Sequence, residues 1–263
     1  MARKIAGPLV VAGLSVGLLA ATGARAEDAP ALSAQCQAPA GDIAAPAPLP
    51  NFAAALAARK KVRVLAIGSS STYGIGASSK SRSYPAQLHD ILQKALAGED
   101  VDIVNRGVSG EVASTTAERL RSEVAIDRPD LVLWQLGTND ALSRVPPDQF
   151  EQTVRSTIGW LKADKIDVVL VGLQYTPKFS RDQNYTEIRD TLFKIASEEN
   201  VLYIRRFDAM RFIAKARATP TMMSSDDFHL NDLGYRCMAE HIAQAVIANL
   251  FVRRFRPAVG SGP

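Results

Sequence analysis

Five short aliphatic runs, each of strand length and each followed by a stretch of helical period, constrain this chain more than any other feature. The first begins at Val62 and ends at Gly68; the others span 101–105, 131–136, 167–173 and 201–204. Between and after them, apolar residues recur three and four apart: Leu88, Ile91, Leu92 and Leu96, then Phe150, Val154, Ile158 and Leu161, then Ile188, Leu192 and Ile195. Short continuous apolar runs read as strands buried on both faces, and the intervening 3.6-residue period reads as helices that cover them. Strands alternating with helices predict an α/β domain, a doubly wound five-stranded parallel sheet with helices on both faces.

Three of the runs break directly into glycine and polar residues: Gly68-Ser69-Ser70-Ser71-Thr72, Arg106-Gly107-Val108-Ser109-Gly110, and Gly137-Thr138-Asn139-Asp140. In a parallel sheet these endings share one edge, the edge where open α/β folds bind ligands. Ser70 is a candidate nucleophile there, with Gly68 allowing the sharp turn behind it. A polar loop capping a helix is the alternative. A further polar loop, Asp226-Asp227-Phe228-His229, precedes a long amphipathic helix capped by Asn231 or Asp232. Acyl transfer needs a nucleophile, a base, a carboxylate to orient the base, and donors for the oxyanion. Ser70, His229 and Asp226 fill the first three roles; the Ser70 N–H, an N–H of the second loop and the Asn139 amide fill the fourth. Taken singly, each has a plainer reading: Asp-x-x-His as a cap with a surface histidine, Asn139 as a helix cap, Gly110 as a turn residue.

Together, the four blocks Gly68–Thr72, Asn105–Gly110, Gly137–Asp140 and Asp226-x-x-His229 resemble those of the SGNH (GDSL-type) esterases and lipases, in the family's order, over Val62 to about Leu250. The resemblance implies a flavodoxin-like fold, with Ser70 as nucleophile, Asp226 and His229 as the acid and base, and an oxyanion hole of Ser70, Gly110 and Asn139. Gly110 closes the second block and is its donor, which leaves Gly107 as a turn residue. The first block departs from Gly-Asp-Ser-Leu, since Ser69 and Ser71 stand at the aspartate and leucine positions. The turn also lacks the second glycine of a Gly-x-Ser-x-Gly elbow, against an α/β-hydrolase fold.

The domain organisation is expected as a signal peptide over 1–26, an Ala/Pro-rich tether over 27–59 with a short helix at 52–58, and one catalytic domain over 60–263. Arg3 and Lys4, an apolar run over 5–21 and the small-x-small Ala24-Arg25-Ala26 make the leader, with cleavage after Ala26 and a periplasmic or secreted product. A retained anchor is the competing reading, but Gly7, Pro8, Gly13 and Gly17 interrupt the run. Removing the leader's three positive charges lowers the net charge from +4 to +1, so nothing points to nucleic acid. Stable membrane insertion after cleavage is not expected. The two cysteines, Cys36 and Cys237, permit one intramolecular bridge in an exported protein; the alternative is a free Cys36 with Cys237 as a small buried residue. Three histidines without Cys–His spacing give no metal site, and no cofactor is expected. His89 reads as an ordinary half-exposed histidine and His241 as structural.

The expected function is that of an exported serine esterase hydrolysing carboxylic esters through an acyl-enzyme, arylesterase- or lysophospholipase-like. Its substrate is a small-molecule, lipid or glycan ester. Tyr73, Tyr175, Phe179, Met222, Met223 and Phe228 are candidates for an apolar acyl pocket. Lys178 and Arg181 instead suit an O-acetyl esterase or O-acyltransferase acting on envelope polysaccharide. A carbohydrate-binding protein that keeps the fold is the non-enzymatic alternative.

Overall fold

The computed structural model describes residues 29–58, 61–96, 99–216 and 221–250. The leader expected over 1–26 lies outside them. Five parallel strands form where the aliphatic runs predict: β2 (Val62–Gly68), β3 (Val101–Gly107), β4 (Leu131–Gln135), β5 (Asp167–Val171) and β6 (Leu202–Ile204). A two-residue strand β1 (Ala44–Ala45) adds an antiparallel edge to β6, making a six-stranded sheet of order β1-β6-β5-β4-β2-β3. Counting only the parallel strands, the order is that of a flavodoxin-like sheet, which reverses direction at β2, flanked by β3 and β4. A crevice opens at such a reversal, beyond the carboxyl ends of the strands. Ser70 follows β2 directly.

Alternation along each strand divides the core. Val64 and Ala66 of β2 and Leu131 and Leu133 of β4 face one layer, built from α2 (Pro50–Ala57), α4 (Tyr84–Ala95) and α10 (Asp232–Leu250). Leu65, Ile67, Val132 and Trp134 face the other, built from α5 (Ala113–Asp127), α7 (Pro147–Ala163) and α8 (Gln183–Glu198). Strands buried on both faces read as continuous apolar runs for this reason. The start of α10 is capped by Asn231, whose Oδ1 accepts the Gly234 N–H at 3.0 Å.

The expectation of an extended tether is corrected for residues 29–58. Besides β1 and α2, this stretch forms the short helix α1 (Ala40–Ile43), and Cys36, Leu49 and Phe52 are buried in the core. The Asp167 carboxylate accepts the N–H groups of Asn51 and Phe52 at 2.8 and 2.9 Å, fastening α2 to the start of β5. The short helix expected over 52–58 is α2; before it, alanine and proline leave no apolar period, yet Leu49, Phe52, Ala55 and Leu56 bring apolar area that is stabilised by burial. The sixth strand arises from the same stretch. Cys36 and Cys237 are joined in a disulfide, with Cα atoms 4.9 Å apart. His241 is buried beside it, its Nε2–H donating to the Cys36 carbonyl at 2.7 Å, while His89 sits on α4 next to Asp90.

Candidate active site

The turn after β2 depends on Gly68. Its φ is +150°, and a Cβ there would lie 2.5 Å from the Gln135 carbonyl oxygen. The chain then enters the single turn α3 (Ser70–Tyr73), closed by Gly74 in the left-handed region at φ +103°. The residues flanking the nucleophile position are both held: the Ser69 N–H and hydroxyl donate to Gln135 Oε1, each at 3.0 Å, and the Ser71 hydroxyl accepts from Arg206 Nη2 at 3.1 Å.

β3 packs against this turn at close range. A Cβ on Gly107 would fall 2.1 Å from the Tyr73 nitrogen, so Gly107 is a close-approach residue at the end of a strand, which corrects its expected role in a turn. Asn105 completes the contact, with Nδ2 donating to the Thr72 carbonyl at 2.8 Å and Oδ1 accepting the Gly107 N–H at 2.9 Å. Gly110 adopts φ +85° beside open space. The Asn139 side chain, on α6 (Thr138–Leu142), donates to the carbonyl of neighbouring Glu111 at 2.8 Å. One amide hydrogen of Asn139 is left over. Asp140 ties the same two loops together, its buried carboxylate accepting the Ala113 and Gly137 N–H groups at 2.8 and 3.1 Å. Burial pushes the Asp140 carboxyl up, against those two donors.

His229 reaches this edge from the loop before α10. Its Nε2 lies 3.2 Å from Ser70 Oγ, and its Nδ1 lies 2.6 Å from Asp226 Oδ2. An ionised carboxylate only accepts, so Nδ1 carries the proton and Nε2 is free to accept from the serine. The other carboxylate oxygen of Asp226 accepts from the Ser224 hydroxyl at 2.7 Å, the Phe228 N–H at 3.0 Å and the His229 N–H at 2.8 Å. The hydrogen bond with His229, followed by that from Ser224, holds the Asp226 carboxyl well below the usual carboxylate range. Neighbouring Asp227 is turned to φ +55°, and Asp226 is the carboxylate bonded to the imidazole.

Every predicted site residue therefore lies at the carboxyl edge of the sheet. Ser70, His229 and Asp226 form one hydrogen-bonded line, while Gly110 sits on the loop after β3 and Asn139 on α6 just beyond β4, the two strands that flank β2. Two residues with no motif to mark them also converge here. Gln174, just beyond β5, and Arg206, at the start of α9 (Arg206–Ala216), are each 2% exposed. Beside Asp226, a cavity of about 710 Å³ is lined by Tyr175, Phe179, Met222, Met223 and Phe228, with Lys178 and Asp227 at its wall. Tyr73, expected with them, is more than half exposed and lines none of it.

Residues 35–251 match the Non-GDSL lipase-like family. The chain belongs to that family. It is an SGNH (GDSL-type) hydrolase, a carboxylic ester hydrolase by class. Among curated relatives, it is 25% identical over 199 residues to an arylesterase of Vibrio mimicus, covering 76% of this chain and 95% of that one. It is 27% identical over 182 residues to the thioesterase 1/protease 1/lysophospholipase L1 of Escherichia coli K12, covering 69% of this chain and 77% of the relative. Among solved structures, the crystal structure of TesA superposes with a TM-score of 0.60 at 23% identity, over 70% of this chain and 97% of that one. In this non-GDSL lipase-like protein, the two serines that replace the aspartate and leucine of the first block are the residues bonded to Gln135 and Arg206.

Proposed function

We propose that the chain is an exported serine esterase that cleaves carboxylic esters through an acyl-enzyme, with Ser70, His229 and Asp226 as its triad. The observation that carries this reading is the continuous line from Asp226 Oδ2 through His229 to Ser70 Oγ, at 2.6 and 3.2 Å. Ser70 Oγ attacks the ester carbonyl as His229 Nε2 takes its proton. Asp226 fixes the tautomer and stabilises the imidazolium. The tetrahedral oxyanion is held by the Ser70 and Gly110 N–H groups and the remaining Asn139 amide hydrogen, donors of the kind that act on charge developed in the transition state. Collapse expels the alcohol, which receives the proton from His229. Water, deprotonated by the same imidazole, then releases the carboxylic acid.

The aromatic and methionine side chains in the cavity beside Asp226, which Lys178 and Asp227 also line, support an ester with an aryl or alkyl group, as the names of the arylesterase and lysophospholipase relatives suggest. The leader pattern and the Cys36–Cys237 bond support an oxidising compartment outside the cytoplasm. No helix among the described residues is long and apolar enough to cross a membrane. The test is a hydrolysis panel on the exported protein: chromogenic esters from acetate to palmitate, phenyl acetate, an acyl thioester and acetylated xylan. Phenyl and alkyl esters are expected to be turned over faster than the acetylated glycan; the reverse order would remove the aryl and alkyl assignment.

A further inference from the structure

Arg206 is a buried cation without a counter-charge. It is 2% exposed, no carboxylate among the described residues bonds it, and its Nε and Nη1 find no protein partner. Burying an unneutralised guanidinium costs stability. Its Nη2 donates to two acceptors: Ser71 Oγ at 3.1 Å and Gln174 Oε1 at 2.9 Å. Gln174 then passes the connection onward, since its Nε2 donates to the Phe228 carbonyl at 2.8 Å. Ser71 adjoins the nucleophile and Phe228 adjoins the base. The backbone of Gln174 is fastened on both sides as well: its carbonyl accepts the Tyr185 hydroxyl at 2.5 Å, and its N–H donates to Thr138 Oγ1 at 3.3 Å. Gln174 thus touches the serine turn through Arg206, the Asn139 helix through Thr138, and the histidine loop through Phe228.

We propose that Arg206 and Gln174 are positioning residues for the ester hydrolysis, a relay that sets the reach of His229 toward Ser70 from the sheet side. The proposal rests on the triad reading above. Ties of Tyr235 to the Ile75 carbonyl and of Asp232 to Ser78 join the same two segments on the α10 side. Those bonds hold the loop after α3 to the start of the final helix. The Gln174 bond holds the peptide immediately before the histidine. Geometry at a reacting pair is exacting, and a misplacement near 1 Å costs on the order of 10² in rate. Loss of the relay therefore acts on turnover more than on binding. Gln174 carries this role because an amide can accept from a cation with one end and donate to a carbonyl with the other.

Gln174→Glu keeps the shape and the acceptor for Arg206 but removes the donor to Phe228. Arg206→Lys keeps the charge but loses the planar fork. Both are to be assayed on p-nitrophenyl acetate in the full exported protein, with active sites titrated by a fluorophosphonate and thermal stability recorded. The relay predicts a kcat per titrated site about 10- to 100-fold below wild type in Gln174→Glu, a KM within about threefold, and a double variant hardly worse than either single one, because the two residues act as one unit. Should Arg206→Lys not fold, Gln174→Glu decides alone. Wild-type kcat per titrated site in Gln174→Glu, with only its melting temperature changed, would overturn the relay and leave the triad standing. Undiminished activity in Ser70→Ala would instead overturn the triad.

Discussion

His229 Nε2 sits 3.2 Å from Ser70 Oγ although 159 residues separate them in the chain. The contact exists because β2 ends at the point where the strand order reverses, while α10 packs on the same face of the sheet as α4, bringing its preceding loop over that crevice. Asp226, three residues before His229, fixes the ring from the other side.

That spacing distinguishes the two adjacent carboxylates. Asp226→Asn is expected to lower kcat by about 10²- to 10⁴-fold with a smaller change in KM, since the imidazolium it stabilises forms only on attack. Asp227→Asn stays within a few fold of wild type. Steady-state kinetics on the two folded variants decides, and equal losses would reassign the acid.

Asn139→Ala removes one oxyanion donor and one bond to the Glu111 carbonyl. A fall in kcat of roughly 10²–10³ is expected, with little change in melting temperature. Wild-type turnover in the folded variant would exclude the donor role.

The Cys36–Cys237 bond closes a loop of 201 residues, for which chain entropy gives about 5 kcal/mol. The variant Cys36→Ser/Cys237→Ser should melt roughly 10 °C or more below wild type in calorimetry. Its kcat at 25 °C should remain within threefold, because the bond anchors residues 29–58 and not the triad.

His241 predicts a pH dependence of stability. Burial pushes its pKa below the ordinary 6.5, against the smaller opposing effect of the Cys36 carbonyl. The unfolded chain thus takes up a proton before the native one does as pH falls. Stability is full above about pH 6.5 and declines below it, by at most about 1.4 kcal/mol per pH unit for one proton. Urea denaturation at pH 7.5 and 5.5 should show the decline in wild type and a flatter profile in His241→Gln.

What could be read from the sequence follows from how local each signal is. The five parallel strands and the main helices are carried by period, and Ser70, Asp226 and His229 by short motifs at strand ends or before a helix. Gly110 and Asn139 are legible in the same way. Of residues 29–58 only the short helix expected over 52–58 is legible, and it forms as α2; the rest is not, because alanine and proline mask a segment that is held by Leu49, Phe52 and Cys36 reaching partners far along the chain. Gln174 and Arg206 carry no motif at all, since their placement is defined by bonds to Ser71 and Phe228 that only the folded sheet brings within reach. From sequence Gly107 reads as a turn residue because glycine signals turns more often than it signals backbones packed at contact distance.

In the proposed triad, Ser70 alone among three consecutive serines is activated by His229. Treatment with a fluorophosphonate followed by peptide mass spectrometry tests it most directly. A single adduct on Ser70 is expected, abolished by Ser70→Ala and slowed at least 100-fold by His229→Ala. An adduct on Ser69 or Ser71, or labelling of Ser70 at an undiminished rate without His229, would contradict it.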